Sequence, residues 1–529
     1  MSVRNFFVPG RSPVYATEAM VATSHPLASA CALDALRRGG SAMDAALAAV
    51  AVQCVVEPHM TGIGGDCFCL IKPPGAPVEA LNGSGRMARA IDADALCLIG
   101  REAFDASAHA ITIPAALAGW AKLHVRHGRL PWADVFRAAI DYAEHGFVVA
   151  PRVAYDWQLH AARLERSLAA RTLYLPADTP PLVGARHRLP ALAATLRRVA
   201  NDGADAFYQG ALAERMVASL RSYGGVHSID DFAAATADWV TPISTTYRGV
   251  EVFECPPNGQ GIVALAMLNM LECLDLAGLD PDGAERLHLE AEVTRLAYAD
   301  RDAWLADDGS DPARVAAWLD KAAARGCVAQ IDPAGAMQPL GRSLLPPHPD
   351  TVYVSVVDAD GMAVSLINSI FDSFGSGYAC PATGVLFHNR GRHFSLDLEH
   401  PNALAPGKRP MHTIMPALAL KNGELWASFG VMGGDYQPVG QVHVLTGMLD
   451  FGLDPQAALD APRAFAFLEE LQVEAGLSLG TIETLRSKGH KTVPATRPWG
   501  GGQIIRYDAE HGVLIGGSDP RKDGMAIGY

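Results

Sequence analysis

Apolar residues recur at helical spacing through the first two-thirds of the chain. The stretch HPLASACALDALRRGG (25–40) predicts a helix that ends at Gly-Gly, and SAMDAALAAVAVQCVVE (41–57) predicts a buried helix with a serine cap. Helical patterns also dominate residues 115–240 and 258–326, and TYRGVEVFECPP (246–257) between them reads as a strand pair. This part of the chain is therefore predicted to be rich in helices.

After residue 350 the period of the pattern changes from helix to strand. TVYVSVVDADGMAVSLINS (351–369) consists of two alternating runs joined by Asp-Ala-Asp-Gly, which predicts a β-hairpin. The same strand-turn-strand pattern occurs in TGVLFHN (383–389), PALALKNGELWASFG (416–430) and QIIRYDAEHGVLIGGSD (503–519). A helix-rich part followed by a strand-rich part predicts one large α+β unit.

Composition narrows the class of protein. The 529 residues are 49% hydrophobic and 19% charged, which is typical of a soluble globular enzyme with a large core. The net charge of −14, without a long basic cluster, argues against nucleic acid or an anionic membrane as a partner. There is no signal-like N-terminus, no membrane-length apolar run and no CxxC pair among the nine cysteines, so we expect a cytoplasmic protein with reduced thiols.

Thr351 stands at the boundary between a proline-rich segment, 328–350, and the predicted hairpin. Such a segment is a candidate for an exposed, cleavable linker. If the bond between Asp350 and Thr351 is cut, Thr351 gains a free α-amine, whose reference pKa is about 7.7 to 8.0. That amine can act as the base for the Thr351 hydroxyl, which is the N-terminal-threonine form of nucleophilic catalysis. A strand start or a turn explains the threonine equally well.

Such a nucleophile needs backbone N–H groups to stabilise the oxyanion. The stretch ASFGVMGGDYQP (427–438) offers Gly433 and Gly434 directly after a predicted strand. Taken alone, this Gly-Gly pair could be an ordinary turn.

A set of motifs in a fixed order resembles the γ-glutamyltransferase family of N-terminal-nucleophile hydrolases over nearly the whole chain. They are GGSAMDAALAAVAV, PHMTGIGGDCFCLI, IPAALAGW, FYQGALAERM, GGVHSIDDFA, TPISTTYRG, AYADRDAWL, DTVYVSVVDADG, FGSG, KRPMHTIMPALAL, GGD and GGSDPRKDGMAIGY. The resemblance implies a four-layer αββα sandwich and autocatalytic cleavage into a large subunit, 1–350, and a small subunit, 351–529, within one integrated domain. It also implies an αβ heterodimer, which could pair into a dimer of heterodimers, and no metal or cofactor.

The resemblance assigns roles to particular residues. The cut falls between Asp350 and Thr351, and Thr351 is the catalytic nucleophile. Gly433 and Gly434 form the oxyanion hole, and Ser369 is the hydroxyl residue that assists the nucleophile.

Several positions depart from the family pattern where γ-glutamyl enzymes hold the substrate's α-amino-acid group. Gly83 stands in place of an arginine, His412 and Thr413 in place of a Ser-Ser pair, and Phe371, Arg390 and His393 at the positions that hold the α-amine. A substrate ammonium would be repelled by these replacements, which argues against glutathione. The pocket predicted from Arg86, Arg390, His393 and His412 suits a carboxylate. The variants NGSGR and RPMHT resemble the branch with oxamate amidohydrolase and the cephalosporin acylases, so we expect hydrolysis of a small anionic amide such as oxamate.

Other functions remain open from the sequence. The chain could be a γ-glutamyl hydrolase or transpeptidase with an altered clamp, a cephalosporin-acylase-like enzyme, or a non-catalytic relative. The stretch GLSLG (476–480) matches the G-x-S-x-G elbow of serine hydrolases, but the expected βαβ series does not precede it, so Ser478 is predicted to be a helix cap. The two histidines of HNRGRH (388–393) lack a third ligand nearby in sequence, and no metal site is predicted there.

Overall fold

The computed structural model describes residues 10–307, 311–337 and 349–529. Its strands are β1 (Val14–Ala16), β2 (Met20–Thr23), β3 (Asp66–Lys72), β4 (Glu79–Gly83), β5 (Phe147–Val148), β6 (Arg186–His187), β7 (Asp238–Val240), β8 (Ile243–Tyr247), β9 (Val250–Glu254), β10 (Pro349–Val357) and β11 (Ala363–Asp372). The remaining strands are β12 (Ala379–Cys380), β13 (Val385–Leu386), β14 (Ala417–Lys421), β15 (Glu424–Val431), β16 (Ala464–Phe467), β17 (Glu470–Val473), β18 (Thr492–Pro494), β19 (Gly502–Asp508), β20 (Val513–Ser518) and β21 (Met525–Gly528).

Most of the helices precede the hairpin. They are α1 (Pro26–Arg37), α2 (Ala42–Val56), α3 (Ala93–Ile99), α4 (Arg101–Ala106), α5 (Ala116–His127), α6 (Trp132–His145), α7 (Pro151–Leu164), α8 (Leu168–Tyr174), α9 (Pro190–Asp202), α10 (Asp205–Tyr208), α11 (Gly210–Ser222) and α12 (Ile229–Ala233). The others are α13 (Gly261–Leu271), α14 (Ala284–Trp304), α15 (Pro312–Trp318), α16 (Lys321–Val328), α17 (Gln437–Leu449), α18 (Pro455–Asp460) and α19 (Leu479–Ser487).

Two seven-stranded antiparallel sheets form the two inner layers. Sheet I has the strand order β21-β2-β10-β11-β3-β4-β7, and sheet II has the order β1-β20-β19-β15-β14-β9-β8. Strands β10 and β11 of sheet I pack against β15 and β19 of sheet II. Helices α1, α2 and α5 cover the outer face of sheet I, and α13, α17 and α18 cover sheet II. The predicted α+β class and the four-layer αββα sandwich are therefore confirmed.

The predicted buried helix 41–57 is α2. Ser41 and Asp44 form a reciprocal capping box at its start, and all fifteen residues are buried. Such a helix needs small side chains on every face, because it packs against α1, α6 and the strands β10 and β11 at once. The alanine-rich sequence supplies them.

The hairpin of β10 and β11 is present, but β10 begins earlier than predicted. It starts at Pro349 rather than Thr351, because the ten-residue β11 extends far enough to pair with the two residues before the threonine. The register also shifts by one residue between the pairs Asp350–Phe371 and Val352–Asn368. This is a β-bulge in which two residues of β11 lie opposite Thr351 alone.

The strand predicted from TGVLFHN is much shorter than its pattern suggests. Only Val385 and Leu386 are extended, as β13, and they pair with β12 outside both large sheets. Its paired strand β12 is also only two residues long, so no longer strand of the described chain lies beside the segment for further β-pairing.

None of the nine cysteines is in a disulfide. Within the described ranges, every helix is too short or too polar to cross a bilayer.

Close backbone contacts fix the loop before β3 against β11. A Cβ atom on Gly65 would lie 2.1 Å from the carbonyl oxygen of Ser369, whereas one on Gly62 would make an ordinary contact, 3.5 Å from the Ile370 side chain. We expect Gly65→Ala to lower the free energy of unfolding by about 1–3 kcal/mol, because the backbone must move to accommodate the methyl group. Thermal or urea unfolding measures this, with Gly62→Ala as the matched control. Equal stability of the two variants would contradict the close approach of Gly65 to the Ser369 carbonyl.

Candidate active site

The bulge brings the hydroxyl groups of Thr351 and Ser369 together. Thr351 Oγ1 donates a hydrogen bond to Ser369 Oγ over 3.1 Å, and both residues are fully buried. In regular pairing, one residue of β11 would stand opposite Thr351, but here Ser369 and Ile370 share that place. The extra residue re-aims the serine side chain, as bulges beside functional sites commonly do.

Phe371 follows the bulge in a strained backbone conformation. Its φ is +74°, which is unusual for a bulky side chain. Its backbone N–H donates to Ser369 Oγ over 2.9 Å. The Phe371 ring contacts two other predicted pocket residues, with the Arg390 guanidinium 4.5 Å from its centroid and the His393 ring centroid 4.1 Å away. Phe371 thus links the positions of Arg390 and His393.

Arg390 places a positive charge next to the hydroxyl groups of Ser369 and Thr413. Its Nη2 donates to Ser369 Oγ over 3.1 Å and its Nη1 donates to Thr413 Oγ1 over 2.8 Å. The side chain is fully buried, and no carboxylate among the described residues lies within ion-pair distance of it. Burial lowers the pKa of Arg390 to about 9, so it remains a cation at neutral pH. A buried cation without a paired anion is costly.

His412 is held by Asp66 and is neutral. Its Nδ1 accepts from the Ile414 N–H, so Nε2 carries the proton and donates to Asp66 Oδ2 over 3.1 Å. Burial and the nearby Arg390 lower the pKa of His412 to about 3. Burial alone would raise the pKa of Asp66, but His388 and His412 hold it below its usual value. The histidine therefore adds no positive charge to the pocket.

His393 packs against Phe371 and lines a small cavity. Neither of its ring nitrogens has a hydrogen-bond partner among the described residues. Burial, followed by the charge of Arg390, lowers the pKa of His393 well below its usual value. The cavity has a volume of about 130 Å³ and is also lined by Arg301, Asp302, His400 and Met411.

The Gly433–Gly434 turn presents two free amides. Both glycines have positive φ angles, 117° and 56°, and they connect β15 to a short 3₁₀ helix, Gly434–Tyr436, that lies against β10. Within the described part of the chain, neither amide N–H has an acceptor. Gly433 and Gly434 thus place two adjacent N–H groups, without an acceptor among the described residues, at a turn that contacts the strand carrying Thr351.

Arg86 lies apart from these residues. It pairs with Asp307 over 3.3 Å and donates to the Gly407 carbonyl, and its side chain is 46% exposed. It makes none of the contacts that join Thr351, Ser369, Arg390 and Thr413. For Asp350, the structure gives only the backbone pairing with Phe371.

The sequence assigned no role to three further residues of the site. Asp66 holds His412, Gln260 bonds to the Gly434 and Thr413 carbonyls, and Arg301 pairs with Asp435 after the glycine turn. Asp66 and Arg301 lie in the family motifs PHMTGIGGDCFCLI and AYADRDAWL, and Gln260 lies between two glycines in PPNGQG. Each acts through contacts with residues more than a hundred positions away.

The other sequence candidates do not assemble a site. Ser478 is the N-cap of α19, where its Oγ accepts from the Thr481 N–H over 3.0 Å, so the predicted helix cap is confirmed. His388 binds Asp66 and Thr112 whereas His393 packs on Phe371, so these two histidines share no ligand position.

One buried group of metal-ligand type lies elsewhere in the described chain. His288, Glu292 and His490 place their ligand atoms within 4.8 Å of one another. The guanidinium of Arg295 pairs with Glu292 and approaches His490, which puts a cation where a metal would bind. His490 and His288 bond to each other over 2.8 Å, and His288 bonds to the Asp332 carbonyl. This group is a satisfied hydrogen-bond network.

Comparison with known proteins identifies the family. The family model described as gamma-glutamyltranspeptidase matches residues 28–529. The chain is 37% identical to the glutathione hydrolase-like YwrD proenzyme of Bacillus subtilis (strain 168), with 97% of this chain and 99% of that protein covered. It is 36% identical to the oxamate amidohydrolase proenzyme of Klebsiella pneumoniae subsp. pneumoniae, with the same coverage.

A solved structure agrees with this assignment. The crystal structure of cephalosporin acylase from Bacillus halodurans superposes with a TM-score of 0.92 at 36% identity, covering 100% of this chain and 99% of that one. The family match, these relatives and the geometry around Thr351 lead to one conclusion: the chain belongs to the gamma-glutamyltranspeptidase family and is an amidohydrolase of that family.

Proposed function

We propose that the chain is a proenzyme that cuts itself between Asp350 and Thr351. Several relatives are named proenzymes, and the strand carrying Thr351 lies in the middle of sheet I. The predicted segments 1–350 and 351–529 would remain together after the cut as an αβ heterodimer, because β10 and β11 of the second segment lie between β2 and β3 of the first. Cleavage would therefore free an amine without separating the subunits.

The proposed reaction uses the Thr351 amine as base and its hydroxyl as nucleophile. The amine accepts the hydroxyl proton while Oγ1 attacks the carbonyl carbon of the amide substrate. The N–H groups of Gly433 and Gly434 hold the oxyanion that forms. The C–N bond breaks as the leaving nitrogen takes the proton, which releases ammonia from a primary amide. Water then hydrolyses the Thr351 ester by the same base and oxyanion hole, and Ser369 keeps the hydroxyl in place.

The substrate class we infer is a small anionic amide such as oxamate. The observation that carries this proposal is the buried Arg390 cation, which has hydroxyl partners but no carboxylate among the described residues. Arg390 Nη2 and Thr351 Oγ1 each lie 3.1 Å from the Ser369 oxygen, so the two are separated by no more than about 6 Å. A carboxylate bound to Arg390 would pair the charge and place an adjacent amide carbon close to the nucleophile.

A γ-glutamyl substrate is the second candidate, because relatives at 37% and 30% identity are named as glutathione hydrolase-like and glutathione hydrolase proenzymes. The γ-glutamyl group carries an ammonium, and Phe371, Arg390 and His393 offer it no carboxylate. Cephalosporin-acylase-like activity has support from the structural neighbour of that name. We rank both below oxamate, because the γ-glutamyl ammonium would lack a carboxylate partner and the acylase activity has only the name of a relative behind it.

Replacement of the nucleophile tests the self-cleavage. We expect the purified wild-type protein to show two chains of the masses of residues 1–350 and 351–529, because the Thr351 hydroxyl attacks the preceding carbonyl. Thr351→Ala should remain a single chain of 529 residues, and Thr351→Ser, which keeps a hydroxyl group, should be cut. Mass spectrometry of the denatured proteins gives the result. Cutting of the alanine variant at the same bond would show that another group performs the cleavage.

Removal of the Arg390 charge tests the substrate class. We expect Arg390→Met to lower kcat/KM for oxamate by about 10- to 100-fold, because charge-assisted hydrogen bonds contribute about 1.5–3 kcal/mol. Hydrolysis of propionamide, a neutral amide of similar size, should fall much less. Arg137→Met, at an exposed arginine on the outer helix α6, is the matched control.

Three substrates decide between the candidates: oxamate, glutathione and a chromogenic γ-glutamyl anilide. Turnover of the anilide without turnover of oxamate would overturn the proposed substrate class. Equal losses on oxamate and propionamide would show that Arg390 acts on Ser369 rather than on a carboxylate. The masses of the cleaved chains confirm that each variant is processed before its kinetics are compared.

A further inference from the structure

The backbone holds the oxyanion turn only through its carbonyl groups: the Gly433 carbonyl accepts from the Tyr436 N–H, and the Gly434 carbonyl accepts from the Gln437 N–H. Two consecutive glycines, both with positive φ, have more conformational freedom than any other pair of residues. Their N–H groups have no acceptor within the described residues, so no hydrogen bond of their own fixes them. Yet electrostatic stabilisation of an oxyanion requires donors that are oriented before the reaction begins. Neighbouring side chains that bond to the turn therefore add to the orientation that these backbone bonds provide.

Gln260 makes the direct contact with this turn. Its Nε2 donates to the Gly434 carbonyl and to the Thr413 carbonyl, each over 2.8 Å, so both amide hydrogens are used. Its Oε1 accepts from Arg301 Nη1 over 3.3 Å, and its backbone N–H donates to the His412 carbonyl. The side chain is fully buried. One amide group thus joins the oxyanion turn to the segment that bonds Arg390.

A second set of contacts fixes the residue after the turn. Arg301 pairs with the Asp435 carboxylate over 2.7 Å, and the Tyr298 hydroxyl donates to the Asp435 carbonyl. Both residues lie on α14, a 21-residue helix, so they provide a rigid support. Burial raises the pKa of Asp435, and Arg301 opposes that shift by stabilising the carboxylate. The turn is therefore held at Gly434 by Gln260 and at Asp435 by α14.

We propose that Gln260 is a positioning residue that aligns the Gly433–Gly434 amides and couples them to the anion-binding segment at Thr413. The proposal rests on the proposed function, because it takes these glycines as the oxyanion hole. Gln260 makes no hydrogen bond to Thr351 or Arg390, both of which are described residues, so we expect its effect to reach the reaction through the turn. It belongs to the segment before the cut, whereas the turn and Thr413 belong to the segment after it.

The position of Gln260 predicts which kinetic constant changes when it is lost. A disordered turn weakens only the interactions made as the oxyanion forms, which lowers kcat and leaves substrate binding at Arg390 in place. Removal of an oxyanion donor itself lowers kcat by about 10²–10³-fold. Loss of the positioning residue leaves both donors present but poorly aligned, and we expect a loss of about 10- to 100-fold.

Gln260→Met is the test, because methionine has a similar length and no hydrogen-bond donor. Gln441→Met is the matched control: Gln441 is also buried and donates to one backbone carbonyl, that of Met415 over 2.8 Å, without touching the turn. Both proteins are first checked for self-cleavage by mass and for unfolding temperature. The expected result is a kcat reduced by about 10- to 100-fold in Gln260→Met alone, with KM within about threefold of wild type.

Three outcomes would overturn the proposal. They are a kcat of Gln260→Met within about twofold of that of Gln441→Met, a loss that falls entirely in KM, or an equal loss in both variants. If Gln260→Met does not fold, Gln260→Glu keeps the length and polarity but turns an oxygen toward the two carbonyls, and kcat must fall with KM maintained. The ratio of the kcat of the variant to the kcat of the wild type is measured on any amide that the wild type hydrolyses. A wild type inactive on oxamate contradicts the substrate class, whereas an unchanged ratio contradicts the role of Gln260.

Discussion

The candidate site depends on one hydroxyl oxygen, Ser369 Oγ. It accepts hydrogen bonds from the Thr351 hydroxyl, the Phe371 backbone N–H and the Arg390 guanidinium. The oxygen reaches all three because β11 carries an extra residue opposite Thr351. Phe371, with its strained φ, directly follows the bulge, and its ring contacts both Arg390 and His393. A one-residue irregularity in a long hairpin thus sets the relative positions of Thr351, Ser369 and Arg390, which we propose as the nucleophile, the helper hydroxyl and the anion-binding cation.

The charges around this oxygen are arranged so that Arg390 remains unpaired among the described residues. The charges of Asp66 and Asp435 both act on Arg390, but the oxygens of Asp66 are used by His412, His388 and the Gly85 N–H. Asp435 pairs with Arg301. Both histidines of the predicted pocket have lowered pKa values and are neutral at pH 7. The pocket therefore differs from the histidine-rich cationic site that residue types alone suggest, since its charge is concentrated in one guanidinium.

Local patterns in the sequence predict the parts of this molecule whose geometry is set locally. The capped helix at 41–57, the Asp-Ala-Asp-Gly hairpin and the Gly-Gly turn each follow from residues a few positions apart. The bulge opposite Thr351 cannot be predicted in this way, because the alternation of apolar residues looks the same in a strand with or without a one-residue shift in its pairing. The family resemblance selected Arg86 by residue type, and the structure pairs it with Asp307. The roles of Gln260 and Arg301 could not be predicted from local spacing, because their partners Gly434 and Asp435 lie more than a hundred positions away in the sequence.

The interleaving of the two segments explains how self-cleavage and catalysis can use the same machinery. The hairpin that carries Thr351 is flanked in sheet I by β2 and β3 of the preceding segment. The oxyanion turn of the second segment is held by Gln260, Tyr298 and Arg301 of the first. A cut before Thr351 leaves these contacts intact, because all of them are side-chain or sheet interactions away from the broken bond. In the proposed reaction, the chemical change at Thr351 is that its nitrogen becomes an amine, which can then act as the base for the neighbouring hydroxyl.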